Sequence, residues 1–340
     1  MKVIGICKQD VAEEVFDAAD AARHRSGMMR VALPKPCLRL GEQMSLTGRM
    51  SWEHGETWYR IVGDLDPSSA QVPVVVLHGG PGACHDYTIP IAELLNESGR
   101  ACVLYDQIGC GNSSHMPDAP ADFWTTQLFK DELTTLLNHL GIADRYALVG
   151  QSWGGMLAME YALNQPAGLV ALGICDSPSS MILWVSEANK LRAELPPGVD
   201  DTLRAHEEAG TTDSPEYTEA MDVFYAKHVC RVPMPECVVT SFAKLAEDPT
   251  VYHTMNGPSE FHCIGSLKNW DITDQLHRIT APTLLVSGKY DEATPLIVDT
   301  IHQRIAGSEW VLFDESSHMP HVEEPERFRE VVSAFLAKHD

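Results

Sequence analysis

The stretch Gly150-Gln151-Ser152-Trp153-Gly154 constrains this chain more than any other. It matches G-x-S-x-G. An apolar, β-prone run from Tyr146 to Val149 leads into it, and a helix-like run from Met156 to Asn164 leads out. In that setting the motif turns a strand sharply into a helix and holds a serine at the apex, its hydroxyl projecting above the sheet. The residues two before and two after the serine must be small, or helix and strand could not approach. Gly150 and Gly154 meet that need, and Gly155 adds clearance. The competing reading is a glycine-rich turn with an idle serine.

The flanking pattern supplies the architecture. Thr57–Val62 reads as an antiparallel strand. The short apolar runs at 73–77, 101–105, 146–149 and 169–175 read as strands buried on both faces. A helix is expected from about Ala121 to Leu140, closed by Gly141. Strands alternating with helices imply right-handed crossovers and a mainly parallel sheet with helices on both faces. The rhythm breaks between 178 and 278, where the chain is helical in character with proline-containing joints. It returns with strands at 282–286 and 310–313 and a last helix over 325–338. The expected organisation is an N-terminal extension (1–43, with a helical stretch at Val11–Ala22), a core in two parts (44–177 and 279–340) and a helical insertion (178–278).

A serine hydroxyl is a weak nucleophile at neutral pH. It needs a base to take its proton and an acid to orient that base. In this architecture the acid and the histidine follow the serine in that order, at the carboxyl ends of later strands. Asp291 follows the strand at 282–286, and His318 follows the strand at 310–313. His321 is the rival base and Asp176, at the end of the strand after the serine, the rival acid; Asp314 reads as a surface acid. Acyl transfer also needs donors aimed at the developing oxyanion. The Trp153 amide is one. The other is expected from the loop His78-Gly79-Gly80-Pro81-Gly82, with Gly80 preferred over Gly79 and His78 as a brace. That loop lacks the spacing of a phosphate cradle, and neither a metal site nor a cofactor is expected.

Formal net charge is −23 across 340 residues, which makes nucleic acid and anionic membranes poor partners. No run reaches the roughly 18 apolar residues of a membrane span. No secretory leader is evident over residues 1–20, and nine scattered cysteines without C-x-x-C read as buried thiols. A cytoplasmic location is therefore expected. Nothing in the sequence sets an oligomeric state.

Four blocks resemble those of the α/β-hydrolase superfamily and, more narrowly, of the proline iminopeptidase family of serine peptidases, which includes L-amino-acid amidases. They are His78–Gly82, Tyr105–Ser113, Gly150–Gly155 and Met255-Asn256-Gly257-Pro258-Ser259-Glu260-Phe261. The last is the most specific, and the resemblance covers about 45–338. It implies an α/β-hydrolase fold with the insertion as a helical cap. It also implies release of an N-terminal residue, proline or another small one, from peptides or amino-acid amides. Acids at the matching positions, Glu260 and Glu292, would bind the substrate's free amine. The physical logic agrees, because an α-amino group with a pKa of about 7.7–8.0 is mostly cationic near pH 7. The alternatives are an esterase or amidase acting on substrates without a free amine, and a non-catalytic ligand-binding protein.

Overall fold

The computed structural model describes residues 45–340; the extension 1–43 and its expected helix lie outside the described residues. One sheet of eight strands forms the centre: β1 (Ser45–Trp52), β2 (Gly55–Val62), β3 (Val74–Leu77), β4 (Cys102–Tyr105), β5 (Tyr146–Gln151), β6 (Leu169–Cys175), β7 (Thr283–Gly288) and β8 (Glu309–Phe313). Their order is β1-β2-β4-β3-β5-β6-β7-β8. The first two pairings are antiparallel and every later one is parallel.

The apolar runs work by alternation. Val75, Leu77, Val103, Tyr105, Leu148, Leu172 and Leu285 point into one core cluster. Val74, Val76, Cys102, Leu104, Ala147, Val149 and Val286 point into the other. Successive side chains of a strand face opposite ways, so a strand covered on both faces must be apolar throughout. The first cluster is roofed by α2 (Thr126–His139) and α3 (Trp153–Ala162). The second is roofed by α1 (Ile89–Asn96) and the final helix, whose Phe328, Val332, Phe335 and Leu336 face inward.

Two helix boundaries differ from expectation. The segment from Ala121 is a short 3-10 turn, and α2 begins only at Thr126, because the Thr125 hydroxyl caps it by accepting from the Leu128 N–H. The helix after the serine starts at Trp153, directly at the turn.

Between β6 and β7 the chain is helical: α4 (Met181–Ala193), α5 (Val199–Ala209), α6 (Pro215–His228), α7 (Glu236–Glu247) and α8 (Thr250–Met255), followed by 3-10 turns at Ser266–Asn269 and Thr273–Arg278. This block has an apolar centre of its own, with Leu203, Tyr217, Phe224 and Phe261. The buried Arg192 pairs there with Asp200 at 2.7 Å and Glu207 at 2.9 Å. Two further helices, α9 (Pro295–His302) and α10 (Pro320–Glu323), precede the final helix α11 (Pro325–Ala337).

The glycines around Ser152 are set by contact. A Cβ on Gly150 would collide with the Gly154 carbonyl, and one on Gly154 with the Leu77 carbonyl. Backbone cannot yield as a flexible side chain can. Gly154→Ala is therefore expected to destabilise the protein by about 1–3 kcal/mol, the usual cost of overpacking. The check is a lowered urea midpoint with an unchanged denaturant slope.

Candidate active site

Ser152 occupies the junction of β5 and α3 with φ 56° and ψ −123°, a backbone region that L-residues rarely adopt. The sheet imposes this geometry. The Ser152 N–H donates to the Cys175 carbonyl at 2.9 Å, and the Ser177 hydroxyl donates to the Ser152 carbonyl at 2.8 Å. Asp291 and His318 lie in the loops after β7 and β8. The His318 Nδ1–H donates to Asp291 Oδ1 at 2.6 Å, and the Ala293 N–H holds the same oxygen at 2.8 Å. This fixes the ring tautomer and leaves Nε2 free as a base. Burial pulls the His318 pKa down, but the Asp291 carboxylate, with Glu260 and Glu323 behind it, outweighs burial and raises it. Ser152, His318, Gly80, Glu260 and Glu292 line one small cavity, about 40 Å³ in volume. Ser152, Trp153, Gly80 and Glu260 also border a narrower lobe walled by Met156, Met181 and Trp184.

The rival residues are placed elsewhere. His321 is fully buried and donates through Nε2 to the Tyr87 carbonyl at 3.1 Å; burial pushes its pKa down to about 4. Asp176 accepts from the Gly288 N–H, while the histidine is held by Asp291. Asp314 is two-thirds exposed beside Arg327.

The loop after β3 is held rigidly. His78 Nε2 accepts from the Gln107 N–H at 3.0 Å, so its Nδ1–H donates to the Gly79 carbonyl, also at 3.0 Å. Burial drives the His78 pKa down to about 4, which keeps the ring neutral. The Gln107 side chain joins the His78 carbonyl (2.9 Å) to the Trp153 indole (2.8 Å). Asp106 pins the adjoining loop by accepting from the His85 and Asn112 N–H groups at 2.7 and 2.8 Å. The Gly79 N–H is committed to the Tyr87 hydroxyl at 2.6 Å. The Gly80 and Trp153 amides have no acceptor among the described residues. That difference favours Gly80 over Gly79 as an oxyanion donor.

Glu260 and Glu292 come from different parts of the chain, yet both edge the larger cavity. Glu260 Oε1 accepts from the Tyr252 hydroxyl at 2.8 Å, and its carbonyl accepts from the Trp184 indole at 2.7 Å. Glu292 is completely buried, neither of its carboxyl oxygens has a hydrogen-bond donor among the described residues, and Oε1 lies 3.8 Å from His318 Nε2. Burial first, then Glu260 and Asp291, pushes the Glu292 pKa well above the carboxylate range. Burial also raises Glu260, opposed by His318 and the Tyr252 hydroxyl.

Residues 72–325 match the family model described as the alpha/beta hydrolase fold. The chain is similar to the proline iminopeptidase of Saccharolobus solfataricus, 41% identical over 77% of this chain and 84% of the relative. It is also similar to the solved structure of VinJ, at 48% identity and TM-score 0.84 over 87% of this chain and 99% of that one. The proline iminopeptidase of Mycobacterium smegmatis superposes with TM-score 0.81 at 47% identity, over 86% of this chain and 98% of that one. The chain belongs to the proline iminopeptidase family of α/β-hydrolase enzymes. The mainly parallel sheet with helices on both faces is the architecture expected from the sequence, with β1 as an additional edge strand.

Two site residues carried no legible role in the sequence of this family member. The Tyr87 hydroxyl donates to Gln151 Oε1 at 2.6 Å while accepting from the Gly79 N–H, and Gln151 Nε2 donates to the His318 carbonyl at 2.8 Å. One chain of hydrogen bonds thus links the loop after β3, the turn at Ser152 and the loop of His318. Gln151 sits within the G-x-S-x-G motif, but its partners are 64 and 167 residues away. Tyr87→Phe leaves a buried N–H and a buried amide oxygen unpaired. A stability loss of about 1–3 kcal/mol is expected, measured by denaturation. The same variant should lower kcat more than it raises KM.

Proposed function

We propose that Ser152, His318 and Asp291 form a catalytic triad, and that Glu260 and Glu292 receive the α-ammonium group of the substrate. The enzyme then releases an N-terminal residue from peptides or amino-acid amides. One observation carries this reading: a fully buried carboxyl group, Glu292, has two unpartnered oxygens in the cavity that holds Ser152. Buried polar groups are normally satisfied, so an orphaned pair of oxygens facing a cavity calls for a donor from outside. An ammonium supplies three donors and a compensating charge.

The chemistry follows from the placement. Ser152 attacks the first carbonyl as its proton passes to His318 Nε2. Asp291 holds the ring through Nδ1 and stabilises the imidazolium. The Gly80 and Trp153 amides receive the developing oxyanion. His318 returns the proton to the leaving amine, then activates water to cleave the acyl-enzyme. The helical block between β6 and β7 serves as a cap, since it supplies Glu260 and the Trp184 and Tyr225 walls. The small volume of the cavity suits proline or another small first residue. A reducing, cytoplasmic setting fits the buried thiols of Cys84, Cys102, Cys110, Cys175, Cys230 and Cys263, and the described residues contain no helix long and apolar enough to cross a membrane.

The pH dependence has a definite sign. Glu292 is raised in the empty site, so at low pH it is protonated and must lose a proton before it can pair with an ammonium. Affinity for a free amine therefore rises with pH through that group. It falls again once the substrate amine deprotonates, at about 7.7–8.0. For a panel of aminoacyl amides, kcat/KM is expected to be bell-shaped when the amine is free. The acetylated counterparts should be poor substrates. Glu260→Gln and Glu292→Gln should each lower kcat/KM for free amines by about 10–100-fold, the worth of a charge-assisted hydrogen bond. The expected loss for blocked substrates is smaller. Equal turnover of free and acetylated substrates would instead favour an esterase or amidase without amine recognition. Ser152→Ala should abolish both turnover and labelling by a fluorophosphonate probe; labelling that persists would remove Ser152 from its role.

A further inference from the structure

Asp176 is a buried carboxyl group beside the proposed triad that the proposed mechanism leaves without a task. It stands at the end of β6 with φ 54°, and its N–H continues the ladder to the Val286 carbonyl at 2.8 Å. It is wholly inaccessible, and Asp291 is 1% exposed. Asp176 Oδ1 accepts from the Gly288 N–H at 3.2 Å. Asp291 Oδ1 is occupied by His318 and Ala293. That leaves Oδ2 of each residue, and neither has a donor in the described structure. The two residues are neighbours through Gly288, whose N–H Asp176 Oδ1 accepts and whose carbonyl accepts the Asp291 N–H at 3.4 Å, and each carboxyl group bears on the other. Two ionised carboxylates cannot face each other in a dry site without a cation, because one must then keep a proton. A single proton on Asp176 Oδ2, donated to Asp291 Oδ2, satisfies both orphaned oxygens.

We propose that Asp176 is a positioning residue of the triad: a carboxylic acid kept neutral, whose proton is donated to Asp291 and spreads the charge that His318 meets. This rests on the triad reading above. Burial, followed by Asp291, drives the Asp176 carboxyl well above its ordinary range, which agrees with the geometry. The consequence falls on His318. Asp291, Glu292, Glu260 and Glu323 all surround that ring, and buried His321 is a basic neighbour. Asp291, Glu260 and Glu323 favour the imidazolium, which is useless as a base. A donor on Asp291 Oδ2 weakens the strongest of these attractions and keeps His318 neutral over a wider pH range. Glu323 also bears on Asp176 and adds to the pressure that holds its proton.

The test uses Asp176→Asn and Asp176→Ala in the full chain, with Asp291→Asn alongside. Asparagine tolerates positive φ and presents an N–H where the acid proton sat, with its carbonyl toward Gly288. Asp176→Asn is expected to keep kcat within about threefold of wild type and leave the acid limb of the kcat profile in place. In Asp176→Ala the acid limb should move up by about one unit, the size of effect a neighbouring charge exerts, so kcat at pH 6 falls about tenfold. Infrared difference spectra of wild type against Asp176→Asn at pH 7 should show the carbonyl stretch of one protonated carboxyl group in wild type only. Glu132, a carboxyl group buried under β2 and raised by burial to about 8, and Glu292, also raised by burial, are present in both proteins and cancel in the difference. Unmoved acid limbs in both Asp176 variants, or no protonated band lost, would overturn the proposal and leave the triad intact. Asp291→Asn is expected to lower kcat by about 10⁴-fold. Should Asp291→Asn stay active while Asp176→Asn fails, Asp176 is the acid of the triad and both readings fall together.

Discussion

Contact between backbone and backbone at the turn around Ser152 governs the rest of this molecule. Gly154 lies against the Leu77 carbonyl at the end of β3, and Gly150 against the Gly154 carbonyl. With the helix this close to the strands, Ser152 has nowhere to go but a positive φ, and the sheet's own hydrogen bond to the Cys175 carbonyl holds it there. The first amides of α3 then point at the space above the serine, where the helix has no acceptor for them. The proposed nucleophile and oxyanion donor are products of one packing constraint. The loop after β3 must come to the same place, and the Tyr87–Gln151 bridge ties it there.

Around that turn the protein concentrates negative charge to an unusual degree. Asp176, Asp291 and Glu292 are buried, Glu260 is half-buried at the cavity edge, and His318 beside them can become cationic. At an effective dielectric near 20, two charges about 4 Å apart still interact by about 4 kcal/mol. Such a set cannot be fully ionised. It resolves by holding protons on the members with the least support, Asp176 and Glu292, both raised by burial. The two protons differ in fate. The one on Asp176 has an acceptor inside the protein, so it stays. The one on Glu292 has no acceptor, and a cation in the cavity displaces it. An empty site of this composition has a built-in demand for positive charge.

Much of this could be read from the chain beforehand, for physical reasons. β3 to β7 are buried on both faces, so their apolar runs stand out. Asp291 and His318 follow directly from where the last parallel strands end. β1 was not foreseen, because an edge strand with Met50 as its one buried residue has no apolar alternation to display. Helix α9 fills the room for one helix between Asp291 and His318; it buries Ile297, Val298 and Ile301 on one face, while the exposed Leu296 blurs that pattern in the sequence. The motif of the loop after an early strand favours Gly80 over Gly79; the Tyr87 hydroxyl on the Gly79 amide supplies the physical ground. Asp176 was visible as an acid at a strand end, but its relation to Asp291 depends on how β6 and β7 lie side by side. The acids proposed to bind the amine were legible only through family likeness. Their shared cavity brings together segments more than thirty residues apart, one from the helical insertion and one from the sheet.

The insertion and the triad are joined at one seam. On α6, the His228 Nδ1–H donates to the Tyr290 carbonyl at 2.8 Å, while the His228 carbonyl accepts the Glu292 N–H at 3.4 Å. Tyr290 and Glu292 flank Asp291, so the last turn of α6 grips the loop that carries the acid of the proposed triad. Burial lowers the His228 pKa, which keeps this clasp neutral beside a cluster of carboxyl groups. A shift of the insertion that opened the cavity would therefore pull on the Asp291 loop as well as on Glu260. Substrate recognition and orientation of His318 share a backbone segment. An ammonium held between Glu260 and Glu292 would tighten both ends of that seam, placing the first carbonyl over Ser152 and steadying Asp291 in the same event.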